Sequence, residues 1–145
     1  MRFWLVIGLV ACGKPKSETA FEAADEVAQA LCSRAFACQS AYPEDAEYTF
    51  QDLYYASVDT CALQLGPADP AAWERAQEEE KLTFDADLAR ECAQAFRDLA
   101  CDELFEQVFP EVCDDVVVGT LPENAACTFD EVCASGWCRN GACTG

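Results

Sequence analysis

Ten cysteines spread from residue 32 to residue 143 constrain this chain more than any other feature. They are Cys32, Cys38, Cys61, Cys92, Cys101, Cys113, Cys127, Cys133, Cys138 and Cys143, and an eleventh, Cys12, stands apart near the N-terminus. A reducing cytosol keeps such thiols free, whereas an oxidising compartment closes them, so their density in 145 residues points to export and a disulfide framework. Metal binding is the competing use. No C-x-x-C pair occurs and the chain holds no histidine, which excludes mixed zinc sites. No metal and no other cofactor is expected, and the even count predicts five bonds.

Cys12 has a different context. Met1-Arg2 supplies a positive end and Phe3 to Val10 an uncharged apolar run, the layout of a secretory signal. The run is too short for a transmembrane helix, which takes about 20 apolar residues. It ends in Leu9-Val10-Ala11-Cys12, which resembles the lipobox of bacterial lipoproteins. That resemblance implies a signal peptide over 1–11, removed by cleavage, and a diacylglycerol on the Cys12 thiol. The polar stretch Gly13-Lys14-Pro15-Lys16-Ser17-Glu18-Thr19 then reads as a flexible tether over 12–19. Signal peptides run to about 15–30 residues, so a leader this short points to a start upstream of Met1.

Charge narrows the partners. There are 27 acidic and nine basic residues, a formal −18. Such a surface repels nucleic acid and anionic headgroups, so no nucleic-acid partner is expected. The membrane is expected to hold the protein through acyl chains on Cys12, several together anchoring stably where one is marginal.

Residues 20–118 read as a helical domain. Phe21, Ala24, Val27, Ala28, Leu31, Ala35 and Cys38 recur at spacings of three and four, which predicts an amphipathic helix over 20–39. Ser57 reads as the N-cap of a short helix stopped by Gly66-Pro67, and Asp69-Pro70 opens another. Leu82-Thr83-Phe84 reads as extended, and Asp85 caps a helix with Leu88, Ala89, Cys92, Ala95, Phe96 and Leu99 on one face. The aromatic group Tyr48, Phe50, Tyr54 and Tyr55 is expected in the core and its rim. Cys32 and Cys38 lie about 9 Å apart along one helix axis, beyond the roughly 4.4–6.8 Å a disulfide spans, and must bond elsewhere. Two long helices that pack together suggest Cys32–Cys92, with Cys38–Cys61 tying in the short helix and Cys101–Cys113 closing a local loop.

Helical periodicity ends at Gly119. Residues 119–145 carry Cys127, Cys133, Cys138 and Cys143 at short, regular spacing, a miniature disulfide knot. Four thiols allow three connectivities. Crossed links, Cys127–Cys138 with Cys133–Cys143, fix a loop-rich segment best. Asn124, Gly136 and Asn140-Gly141 stand where tight turns need positive φ. The fold class expected is mainly α: a small disulfide-stapled helical domain followed by a short irregular knot.

Gly119 to Cys127, continued by Cys133-Ala134-Ser135-Gly136-Trp137-Cys138 and Asn140-Gly141-Ala142-Cys143, resembles the Dickkopf N-terminal cysteine-rich repeat found in many myxobacterial lipoproteins. Upstream, Leu82-Thr83-Phe84-Asp85 leading to a helix with a central cysteine and then Cys101-Asp102-Glu103-Leu104 is similar to those proteins too. The family pattern often has glycine where Asn124 stands, and asparagine tolerates the same backbone. The resemblance implies a fold and an envelope location and carries no common activity.

Catalysis is not expected. Without histidine a Ser-His or Cys-His pair is impossible, and Asp102-Glu103 and Asp114-Asp115 read as surface carboxylates. No phosphate-cradling glycine motif or calcium loop appears. The reading is a lipid-anchored, non-catalytic protein of the cell envelope, by the Gly13 after Cys12 of the outer membrane. Phe129 and Trp137 would face an envelope protein or glycan partner. The alternative is a secreted soluble inhibitor or hydrolase without lipid.

Overall fold

The structure, a computed structural model, describes residues 19–145. It is mainly α-helical and disulfide-rich, built around one central helix. That helix, α1 (Ala20–Ala37), begins at Thr19 in a capping box. The Thr19 hydroxyl accepts from the Glu22 N–H, and the Glu22 carboxylate accepts from the Thr19 N–H, each at 3.1 Å. Thr19, read as tether, is thus the N-cap of α1. Ala20, Ala23, Ala28, Ala30 and Ala35 of α1 are all buried, on more than one side of the helix, as a helix surrounded by neighbours must be.

Five more α-helices among the described residues dock on it or beside it. α2 (Phe50–Tyr54) buries Phe50 and Tyr54, while Tyr48 and Leu53 of the same aromatic stretch stay exposed. α3 (Val58–Leu65) is capped by Ser57 and ends at Gly66; α4 (Pro70–Glu78) is capped by Asp69, whose carboxylate accepts from Ala71 and Ala72. Gln77 of α4 reaches across to accept the Ala20 N–H at 2.8 Å, supplying one of the donors a helix start leaves unpaired. α5 (Ala86–Asp98), capped by Asp85, packs against α1 through Ala89 and Ala93 opposite Ala23 and Ala30. Arg34 of α1 donates through Nε to the Leu99 carbonyl at the end of α5, at 2.7 Å. α6 (Cys101–Phe105) buries Leu104.

Three bonds staple these helices: Cys32–Cys61, Cys38–Cys101 and Cys92–Cys113, with Cα separations of 5.8, 5.4 and 4.9 Å. The expected Cys32–Cys92, Cys38–Cys61 and Cys101–Cys113 links do not form. The reason lies in helix faces. Two residues along a helix turn about 200°, so Cys32 faces away from Ala30 and from α5, into the cluster that holds Cys61 of α3. The α1–α5 seam is made of alanines, and Cys92 belongs to the cluster that includes Val116 and Cys113. Cys38 caps α1 beside Phe50 and Leu104, where Cys101 also packs. Cys101 and Cys113 therefore sit in different clusters. By restricting the unfolded chain, each staple contributes about 3–4 kcal/mol.

Two short antiparallel strands lead to the knot. β1 (Leu82–Phe84) pairs with β2 (Val117–Gly119) in the register Leu82↔Gly119, Thr83↔Val118, Phe84↔Val117. β3 (Cys138–Arg139) and β4 (Ala142–Cys143) form a hairpin. Its two-residue turn, Asn140-Gly141, has φ of 51° and 78° at its two centres, the handedness that suits twisted strands. Val132, Cys133 and Cys143 of the knot share a core with Ala20, Trp73, Ala76 and Leu82 of the helical part. Gly119 lies so close to the knot that a Cβ on it would meet the Cys133 carbonyl oxygen at 2.4 Å.

Candidate functional site

The knot is built around two adjacent disulfides. Cys127 bonds to Cys138 and Cys133 to Cys143, the crossed pairing expected from spacing. The Sγ atoms of Cys127, Cys133 and Cys143 lie within 4.8 Å of one another. Backbone hydrogen bonds hold the same residues: Cys127 N–H to Gly141 O at 3.0 Å, Cys143 N–H to Ala125 O at 2.9 Å and Cys133 N–H to Asp130 O at 3.0 Å. Asn124 and Gly136 take φ of 65° and 74°, so both turn positions have the backbone read from sequence.

Trp137 is the exposed aromatic of this module. Gly136 closes a turn in which its N–H donates to Cys133 O at 2.9 Å, and the Trp137 carbonyl accepts from Thr144 N–H at 3.0 Å. The next residue, Cys138, is fixed by its disulfide and by an N–H donated to the Asp130 carboxylate at 2.6 Å. A backbone held on both sides projects the indole outward, 53% exposed. The Arg139 guanidinium lies over the ring, 5.4 Å from its centroid, within cation–π range. Trp137 borders an open groove of about 550 Å³ whose walls carry Asp114, Asp115, Val118, Asp130 and Glu131. The groove therefore combines one aromatic face with an acidic rim.

Phe129 does not join it. Its ring stacks on Trp73 of α4 at 5.5 Å and 15°, and it borders a separate cleft with Pro67, Asp69 and Arg75. Stacking on Trp73 ties the knot to α4 through one face of the Phe129 ring, while the ring still lines that cleft. Cys12, the expected lipidation site, lies outside the described residues. Asp130 is a residue that sequence reasoning passed over. Its carboxylate orients the backbone beside Trp137, and its only signal was an acidic residue at the start of a turn between two cysteines.

The groove beside Trp137 has a defined chemistry. It offers an indole face for stacking and carboxylates that accept hydrogen bonds and attract positive charge. Among the described residues no three carboxylates converge within 4.8 Å, so this rim differs from the tight oxygen cage of a calcium site. No family model matches the chain, and neither a curated protein nor a solved structure matches it.

Proposed function

We propose that this chain is an exported lipoprotein of the cell envelope, anchored through acyl chains on Cys12, and that its Dickkopf-like knot presents Trp137 to an envelope protein or glycan. The observation that carries the binding role is a half-exposed tryptophan on a segment stapled by two disulfides. A rigid aromatic anchor loses little freedom on binding, which is why such residues concentrate affinity. Five disulfides among ten cysteines are compatible with export and leave Cys12 as the odd thiol. No helix among the described residues is long and apolar enough to cross a membrane. A non-catalytic role is favoured by the chain's lack of histidine.

Two variants test the two halves. Cys12→Ser should move the protein from the detergent-rich phase to the aqueous phase, and unchanged partitioning counts against acylation. Trp137→Ala should keep the anchor and the fold while losing cross-links to envelope protein or glycan in intact cells. Equal cross-linking by both chains removes the binding role from this ring.

A further inference from the structure

A second groove shares Val117 and Glu131 with that of Trp137, but its walls are apolar. Ala24 and Val27 of α1, Leu65 and Pro67 at the end of α3, Trp73 of α4 and Val117 of β2 enclose about 310 Å³. Among the described residues Glu131 is the one charge on its wall. A cleft of about 450 Å³ adjoins it, sharing Pro67 and Trp73. Ala24, Val27, Pro67 and Val117 are half-buried and Leu65 is 46% exposed, so apolar surface stays open to water there, which is unfavourable in proportion to its area. We propose that one acyl chain on Cys12 folds back into this groove when the protein is away from a bilayer. The inference rests on the lipid-anchor reading above.

The place where the described chain begins is the first support. Ala20 packs with Trp73 and Ala76, and the Gln77 side chain accepts the Ala20 N–H at 2.8 Å. The residues before α1 therefore depart beside α4, next to the Trp73 wall of the groove. Reach is the second support. Seven residues, Cys12 to Glu18, precede Thr19, and at about 3.3–3.6 Å each they span up to about 25 Å. Ala24 and Val27 lie only about 8 and 12 Å along α1 from Thr19, at about 1.5 Å per residue. A chain that turns back at Thr19 thus brings its lipid over the groove.

Chemistry selects the occupant. Once the leader is removed, Cys12-Gly13-Lys14-Pro15-Lys16-Ser17-Glu18 contains no large apolar side chain, so the tether cannot itself fill an apolar groove. Hydrocarbon on Cys12 matches it. The carboxylates around Trp137 make the neighbouring groove a poor place for the same chain. Every methylene withdrawn from water adds to the stabilisation, and an open groove withdraws fewer than a bilayer does, so a membrane empties the groove. The folded domain then shields one chain in water and releases it at a membrane.

The test uses the full acylated chain from cells fed a long-chain fatty acid that carries a photoreactive diazirine near its methyl end. After removal of detergent the chain is mixed with a nitrogen-15-labelled copy, irradiated and digested, so that mass spectrometry separates cross-links within one chain from those between chains. The expected links run within one chain, from the Cys12 acyl group to peptides holding Ala24 and Val27, Leu65 and Pro67, or Val117. Vesicles of phosphatidylethanolamine should transfer them to lipid. Ala24→Trp, which fills the groove, should reduce them by at least about tenfold, and Leu63→Asp, at a position 69% exposed outside the groove, should leave them unchanged. Links scattered over the surface, links mainly between chains, or full labelling of Ala24→Trp overturns the proposal. A chain whose intact mass lacks the acyl groups overturns both this inference and the anchor, whereas an acylated chain without groove links overturns this inference alone. The map of the unmutated chain decides the matter even where a variant fails to fold.

Discussion

Gly119→Ala should uncouple the knot from the helical core. An ideal Cβ at this position would lie 2.4 Å from the Cys133 carbonyl oxygen and 2.5 Å from the carbonyl carbons of Cys133 and Val132. All three atoms are backbone, so no side chain can swing aside. Relaxing to ordinary contact requires a shift of about 1 Å. The hydrogen bonds from Leu121 N–H to Val132 O at 3.0 Å and from Ala134 N–H to Leu121 O at 2.9 Å flank this point. A shift of that size stretches both beyond useful length, costing about 1 kcal/mol each. Overpacking adds about 1–3 kcal/mol, so the loss should be about 3–5 kcal/mol, a large share of a typical domain's stability. Urea unfolding with the disulfides intact, followed by tryptophan fluorescence, measures it. Gly136→Ala is the control: its Cβ meets nothing within 4 Å, and only its φ of 74° costs about 1–2 kcal/mol. A Gly119→Ala chain within about 0.5 kcal/mol of the parent, the range of ordinary surface substitutions, would refute the close approach.

Other sites give simpler expectations. Glu80 and Gln107 have φ of 56° and 60° just beyond α4 and α6, each inside a six-to-one and five-to-two pair of terminal hydrogen bonds: Lys81 N–H to Ala76 O with Glu80 N–H to Gln77 O, and Val108 N–H to Glu103 O with Gln107 N–H to Leu104 O. Glycine suits that position, so Glu80→Gly and Gln107→Gly should each stabilise by about 0.5–1 kcal/mol in urea titrations, and destabilisation would contradict the assigned backbone. Arg34→Met should cost about 1–2 kcal/mol by leaving the partly buried Leu99 carbonyl without its donor; an unchanged midpoint argues against that bond. Burial, with Tyr42 adding to it, raises the Tyr54 hydroxyl above its ordinary 10.0. The unfolded chain ionises first, so this contribution is fully present below the ordinary value and is lost as pH rises through the raised folded one. Tyr54→Phe should flatten that alkaline loss, and an unaltered pH profile places the cause elsewhere.

What was legible in the sequence was what depends on near neighbours. Ser57, Asp69 and Asp85 cap their helices because a short oxygen needs only the N–H groups two or three residues ahead. Asn124, Gly136, Asn140 and Gly141 turn with positive φ because few residues tolerate it. The knot pairing followed from crossed links fixing a loop-rich segment, its partners only 11 and 10 positions apart. The helical staples close over 29, 63 and 21 residues. They depend on which side of α1 meets which neighbour, and the apolar pattern of a helix surrounded on several sides does not say. Alanine was the missed clue, since an Ala-lined seam lets α1 and α5 approach without a disulfide between them. The stacking of Phe129 on Trp73 was not legible because the two lie far apart in the chain. Thr19-x-x-Glu22 did carry a capping signal, obscured by the polar run before it. Two helix ends lacked the usual glycine, and Glu80 and Gln107 stand there instead.

The intact mass of the membrane-extracted chain, before and after reduction, tests the central claim most directly. The account predicts a polypeptide starting at Cys12 and carrying acyl groups, with no free thiol, that gains about 10 Da on reduction at about 2 Da for each of five disulfides. A chain that retains its first eleven residues, lacks the acyl mass, or alkylates at any of the ten cysteines before reduction would contradict it.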